Sequence, residues 1–196
     1  EALRQLFNFA NRPNFAPRYN VAPTQRMPVV RSNDGGRELA ILRWGLIPSW
    51  SRDAQIGSKC INARADTAAE KPAFRGAFRA RRCLVPADGF YEWKEEGGAK
   101  QPYLIRAPGG RPFAFAGLWE RWVAKAAGAG IAAGETVETY TILTTDANAR
   151  LMALHERMPV ILPRDAEARW LDPALDGCTD DLLALLQPVP VAELAM

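Results

Sequence analysis

The stretch Cys83-Leu84-Val85-Pro86-Ala87-Asp88-Gly89-Phe90-Tyr91-Glu92-Trp93-Lys94 decides the reading of the fold. Two runs rich in β-branched and aromatic residues flank three residues of turn type, so it reads as two strands joined by a tight hairpin link. Residues 95–100 read as a second hairpin turn. Working outward, strands are expected over residues 27–31, 40–45, 83–86, 90–94, 103–106, 113–118, 138–143 and 158–162. Helices are expected over 1–9, 71–80, 148–154, 164–171 and 179–186, and 124–134 reads as a mobile Ala/Gly surface loop. Strands in uninterrupted series favour antiparallel pairing over a doubly wound sheet. The expected fold class is α+β: residues 1–196 as a single β-rich domain with antiparallel, barrel-like sheets and a few flanking helices.

At 196 residues, 48% hydrophobic and 24% charged, the chain is long enough for one well-buried core, and wholesale disorder is excluded. No run approaches the ~18 apolar residues of a membrane helix, and the start lacks the layout of a signal peptide. A soluble, intracellular protein with no membrane partner is expected. His155 is the one histidine, and Cys60, Cys83 and Cys178 are the three cysteines. None of these four has the close pairing typical of zinc ligands, so no metal is expected. An odd cysteine count without secretory features points to reduced thiols rather than a disulfide framework.

The formal net charge of +3 is unevenly spread. Lys71, Arg75, Arg79, Arg81 and Arg82 fall in one stretch without an acid, while 164–181 is strongly acidic. The basic stretch can meet phosphates. The plainer reading puts Arg75 and Arg79 on the solvated side of a short helix whose other side carries Phe74 and Phe78.

Three segments carry polar groups that a purely structural strand does not need. If Ile61-Asn62-Ala63-Arg64-Ala65-Asp66-Thr67 is extended, Asn62, Arg64 and Asp66 share one side, forming either a solvated face or a lined pocket. Glu92 sits among large aromatics in Phe90-Tyr91-Glu92-Trp93-Lys94, where burial raises a carboxyl pKa and makes it a proton carrier. The same residue also reads as an exposed glutamate on a hairpin. His155-Glu156-Arg157-Met158-Pro159 puts the only imidazole at a helix-to-strand junction, as a cap, a surface group or an acid/base.

Five motifs together resemble one family. Arg18-Tyr19-Asn20-Val21-Ala22-Pro23, Trp44-Gly45-Leu46-Ile47-Pro48-Ser49-Trp50, residues 61–67, Asp88-Gly89-Phe90-Tyr91-Glu92-Trp93, and His155-Glu156-Arg157-Met158-Pro159-Val160-Ile161-Leu162 occur in the order seen in the SRAP family, the SOS-response-associated peptidase-like abasic-site sensors. The resemblance implies a β-rich domain, single-stranded DNA carrying abasic sites as partner, no cofactor, and covalent capture of the lesion. It implies a nucleophilic cysteine exposed when the initiator methionine is removed by the protein itself. The α-amine of that cysteine condenses with the sugar aldehyde and its thiol closes a thiazolidine. An α-amine titrates near ~8, so a fraction is free to attack at neutral pH, and closure by a thiol on the same residue is intramolecular.

Residue by residue, the resemblance assigns Asn62 to orienting the terminal cysteine, Glu92 to proton movement during imine and ring formation, and His155 to opening the sugar ring and to release. It assigns Arg64 and Arg157 to the phosphates flanking the lesion, Asn20 and Pro23 to the DNA path, Trp50 to stacking, and Thr144 to a polar position near the site. Asp66 stands where the family has glutamate. The family's methionine-cysteine-glycine-arginine start and its last valine-asparagine-containing segment are not among the 196 residues. Cys60, Cys83 and Cys178 carry no free α-amine, so this sequence by itself is expected to bind DNA without crosslinking. A cysteine hydrolase built on Cys60 or Cys83 with His155 and Asn62 is the competing expectation, and a plain single-stranded DNA-binding module a third. A monomer is expected, cytoplasmic in a bacterium or nuclear in a eukaryote.

Overall fold

The computed structural model describes residues 2–12, 14–128 and 130–196. Its strands are β1 (Arg26–Asn33), β2 (Gly36–Trp44), β3 (Asn62–Arg64), β4 (Arg82–Ala87), β5 (Phe90–Glu96), β6 (Ala99–Ile105), β7 (Phe113–Val123), β8 (Thr136–Asp146), β9 (Arg157–Pro159) and β10 (Ile161–Leu162). The helices are α1 (Ala2–Phe7), α2 (Ala65–Ala68), α3 (Arg75–Ala80), α4 (Arg164–Leu171) and α5 (Thr179–Leu183).

A closed five-strand barrel forms the centre of this β-rich fold. The order β7-β4-β1-β2-β8 is completed by antiparallel pairing of β8 back onto β7, from Gly117↔Ile142 to Val123↔Thr136. Closure removes the free edges that an open sheet leaves exposed. Alternation then sorts the side chains into two cores. Val29, Leu42, Cys83, Val85, Phe115, Tyr140 and Ile142 belong to one buried cluster, inside the barrel. Val30, Leu39, Leu84, Ala116 and Leu118 face outward and pack with Phe7, Phe78, Trp170 and Leu182 from the helices.

One end of the barrel is plugged by charge. Arg31 follows Met27 and Val29 along the inward face of β1. Its guanidinium donates to Glu38 at 2.6 Å and to Glu138 at 2.9 Å, and lies 4.1 Å from the Trp119 ring centre. The two carboxylates hold its pKa above the ordinary arginine value against the cost of burial. The other end, around Met27, Trp44 and Tyr140, stays open.

A barrel of five strands leaves little room inside, and Gly117 marks the tightest place. A Cβ there falls 2.9 Å from Cys83 Sγ and 3.1 Å from Thr141 O. Gly117→Ala is expected to cost about 1–3 kcal/mol through overpacking. The check is urea denaturation, with a lower midpoint at an unchanged slope.

Several expectations need correction. Pairing is not uniformly antiparallel, since β8 runs parallel to both β2 and β3. Long connections separate these strands in sequence, and β8 must pass between β2 and β7 for the barrel to close. Ala87-Asp88-Gly89 is not a hairpin, because β4 pairs with β1 and β7 while β5 leaves the barrel and pairs only with β6. The hairpin at 95–100 is present, turning on Gly97 and Gly98, both at positive φ (58° and 80°). The strand expected over 158–162 splits at Val160, whose N–H bonds Leu143 O while its carbonyl accepts Ala116 N–H, so one residue bridges β8 and β7. The helix expected over 148–154 is a single 3₁₀ turn at Leu151–Ala153, because the Asn148 side chain accepts from Arg150 and Leu151 N–H and tightens the chain.

The helix expected over 71–80 starts at Arg75, and the one over 179–186 ends at Leu183, where three-residue-spaced bonds at Leu185 and Leu186 tighten it ahead of Pro188. Of the helix expected over 1–9, Glu1 lies outside the described residues, and α1 covers Ala2–Phe7. Ala129 of the 124–134 loop also lies outside them; the base of that loop is held by Ala124 N–H to Glu135 O at 2.9 Å and Gly134 N–H to Ala124 O at 2.8 Å.

Candidate functional site

The open barrel mouth leads into a cleft of about 700 Å³ whose lining comes from many separate stretches of chain. Arg18 to Pro23 form one rim, Asn62 of β3 a second wall, and Asp88 to Trp93 a third. Tyr140, Ile142 and Thr144 of β8 rise from the floor, and His155 with Arg157 to Pro159 complete the circuit. Asn20, Pro23, Asn62, Glu92, Thr144, His155 and Arg157 therefore meet in one place despite being spread over most of the sequence. Trp50 is not in this lining. It stands 55% exposed beside a separate depression with Arg52 and Lys59, its indole donating to Pro72 O at 3.2 Å.

Register explains the convergence. Parallel pairing sets Asn62 beside Ile142 and Arg64 beside Thr144, and antiparallel pairing sets Thr144 beside Pro159 and Asp146 beside Arg157. Thr144 is thus the middle rung between Arg64's strand and the strand that follows His155. Extended structure stops at Arg64, so Asp66 lies in α2 rather than on the same strand. Its carboxylate still takes both sides of the Arg64 guanidinium, at 3.2 and 2.7 Å, and that bonding holds its pKa below the usual carboxylate range. Both partners are exposed, which leaves Arg64 able to exchange Asp66 for an incoming anion. Arg157 is more committed: it donates to Asp146 at 2.6 Å and to Thr144 O at 2.5 Å, with a buried Nε that has no hydrogen-bond partner among the described residues.

Glu92 is partly buried, on the inward face of the β5–β6 ribbon with Phe90, which packs edge-on against Phe115 at 5.7 Å. Tyr91 and Trp93 alternate with it along β5, are 39% and 53% exposed, and line the cleft beside it. Burial pushes its carboxyl above the usual carboxylate range, and the nearby His155 opposes the rise. The carboxyl can therefore hold and release a proton nearer neutral pH. His155 is exposed at the cleft edge with its Nδ1 fixed: Arg157 N–H donates to it at 2.9 Å, and Arg157 O lies 3.0 Å away. The bond from Arg157 N–H takes the lone pair of Nδ1, which in the neutral ring leaves the proton on Nε2.

The floor escaped sequence reading. Trp44 stacks on Tyr140 with ring centres 6.4 Å apart and planes 11° from parallel, and its indole donates to Ile61 O at 2.8 Å. Alternation along 138–143 was the available signal, since Tyr140, Ile142 and Thr144 fall on one strand face. Neither Cys60 nor Cys83 lines the cleft. Both are buried, and burial raises both thiol pKa values, which disfavours the thiolate that an internal nucleophile requires.

A family model described as SOS response associated peptidase (SRAP) matches residues 1–196. The chain belongs to the SRAP family. Among its relatives in this family, the Bacillus subtilis protein named abasic site processing protein YoaM is 43% identical over 181 residues, covering 92% of this chain and 76% of that protein. Abasic site processing protein HMCES of Xenopus tropicalis is 35% identical over 205 residues, covering 89% of this chain and 59% of that protein. A crystal structure of a Bordetella bronchiseptica protein matches with a TM-score of 0.81 at 30% identity, over 98% of this chain and 92% of that one. The barrel, its parallel additions and the cleft at its mouth are thus the architecture of a SRAP chain.

Proposed function

We propose that this SRAP protein captures abasic sites in single-stranded DNA covalently and reversibly, through an N-terminal cysteine that precedes the 196 residues. The observation that supports this reading best is the convergence of Asn62, Glu92 and His155 on one cleft beside Thr144, Arg64 and Arg157. His155 assists opening of the deoxyribose ring. The cysteine α-amine then attacks the C1 aldehyde and water leaves, giving an imine. Glu92 supplies the proton that expels water and takes up the one released as the thiol adds to the imine carbon and closes the thiazolidine. Asn62 orients the cysteine, Arg64 and Arg157 hold flanking phosphates, and Asn20 and Pro23 guide the strand. Trp50, away from the cleft, stacks on a base outside the lesion. Self-removal of the initiator methionine precedes capture. The protein acts as a monomer wherever chromosomal DNA is replicated, the bacterial cytoplasm or the eukaryotic nucleus.

The test uses the protein with its natural N-terminus and a labelled single-stranded oligonucleotide bearing one abasic site. After denaturation, a heat-stable slow band is expected, absent when the terminal cysteine is changed to serine. The 196-residue chain is expected to retard the oligonucleotide under native conditions only. An adduct that survives loss of the terminal cysteine and depends on Cys60 or Cys83 overturns the reading.

A further inference from the structure

Among the described residues, the β5–β6 ribbon that carries Glu92 shares no ladder with the barrel sheet. A free two-stranded ribbon is marginal in water, so its angle to the barrel depends on what ties it down. The turn that delivers His155 is likewise short: Leu154 and His155 N–H both bond Leu151 O, at 2.8 and 2.9 Å. One segment is bonded to both. At the foot of the ribbon, Arg106 and Ala195 exchange two backbone hydrogen bonds, of 2.9 and 2.7 Å. At the turn, Asn148 Nδ2 donates to Val189 O at 2.9 Å and the Arg150 guanidinium donates to Leu194 O. Val189 and Leu194 are 8% and 2% exposed, in the same apolar cluster as Ile105 beneath the ribbon and Leu151 beneath the turn.

We propose that residues 189–195 form a strap that fixes the spacing between the ribbon carrying Glu92 and the turn carrying His155, with Asn148, Arg150 and Leu194 as positioning residues for that acid–base pair. The proposal rests on the functional reading above in one respect, that Glu92 and His155 act together on a lesion. Asn148 serves twice, since its Oδ1 caps the turn while its Nδ2 holds the strap. Arg150 also acts at two levels, with its N–H inside the turn and its side chain on the strap. A shift of about 1 Å in such a pair can cost on the order of 100-fold in rate, which gives the strap a chemical role beyond stability.

The strap also controls how much water reaches Glu92. Its carboxyl stands opposite Tyr103 on β6 and shares a face with Lys94 on β5. The charged and titratable groups that line the cleft with it include Arg18, Asp88, His155 and Arg157. None of these belongs to the strap, so loosening it changes solvation and spacing around Glu92 without removing a charge from that circle.

Arg150→Met and, separately, Leu194→Ser are made in the protein with its natural N-terminus. Three quantities are read: the Glu92 carboxyl titration by carbon NMR, the single-turnover adduct rate against pH, and affinity for abasic single-stranded DNA. In both variants the Glu92 pKa is expected to fall towards the ordinary carboxyl value. The rate is expected to fall about 10- to 100-fold with the limb set by Glu92 ionisation moved to lower pH, while affinity stays nearly unchanged. A Glu92 titration that does not move in either variant overturns the strap, as does a loss of affinity that accounts for the loss of rate. If the wild-type protein forms no adduct and the Glu92 titration still shifts in the variants, the strap stands and the covalent reading falls.

Discussion

Glu92→Gln is expected to slow adduct formation by about 10²–10⁴-fold, the usual contribution of a positioned proton carrier, while affinity for abasic single-stranded DNA changes little. The same variant is expected to be more stable than the wild type at neutral pH. Burial raises the Glu92 carboxyl above the value it has in the unfolded chain, so folding favours its neutral form. Below the ordinary carboxyl range the group is neutral in both states and costs nothing. As pH rises from the ordinary value through the raised one, the unfolded chain loses its proton first and the folded state loses stability. Glutamine stays neutral throughout, so its melting temperature should match the wild type in acid and exceed it above that window. Thermal denaturation at a series of pH values checks the sign. Equal melting temperatures at every pH would mean that the carboxyl is not held in its unfavourable charged form. Slower chemistry together with higher stability separates a functional carboxyl from a structural one, which on removal loses both.

How much of this was legible in the sequence depended on the range over which each signal acts. Strand positions were readable because β-branched and aromatic runs, turn residues and alternation are local; all of the expected strands occur, with 158–162 divided at Val160. Closure was not readable in detail, since the parallel pairing of β8 with β2 and β3 follows from geometry that no local pattern encodes. The same limit explains the link at Ala87-Asp88-Gly89, which has hairpin chemistry but joins strands that belong to different sheets. Site residues were named through family motifs, and the cleft gathers all of them except Trp50 and Arg64; Arg64 stands next to the cleft-lining Thr144. The Trp44–Tyr140 floor and the strap at 189–195 were missed, because each depends on contacts between residues far apart in sequence.

The basic stretch at 71–82 shows the same limit from the side of charge, and leads to the largest expected effect on stability. Arg75 and Arg79 are exposed while Phe78 is buried, so the solvated-face reading describes α3. Arg81 is paired with the buried Glu120 at 2.7 Å. Arg82 is 5% exposed and meets no solvent phosphate. Its guanidinium donates to Trp170 O at 2.7 Å, Arg79 O at 2.8 Å, Phe78 O at 3.3 Å and Asp172 O at 2.8 Å, and to Asp176 Oδ1 at 2.7 Å. Phe78, Arg79 and Trp170 lie at the C-terminal ends of α3 and α4, where carbonyls have no partner within the helix. One side chain of β4 therefore satisfies two helix ends and fixes both helices to the barrel. Arg82→Met keeps the apolar stem but removes all five bonds; Arg79 O keeps Gly177 N–H and Asp172 O keeps Leu175 N–H, so the Phe78 and Trp170 carbonyls bear most of the loss, at an expected cost of about 3–5 kcal/mol. For a chain of this size that is a fall of roughly 6–20 °C in melting temperature. Asp176→Asn should cost far less, because Asp176 is 41% exposed and leaves the four carbonyl bonds in place. Equal losses in the two variants would assign the stabilisation to the ion pair; a large loss confined to Arg82→Met assigns it to the shared cap on the two helix ends.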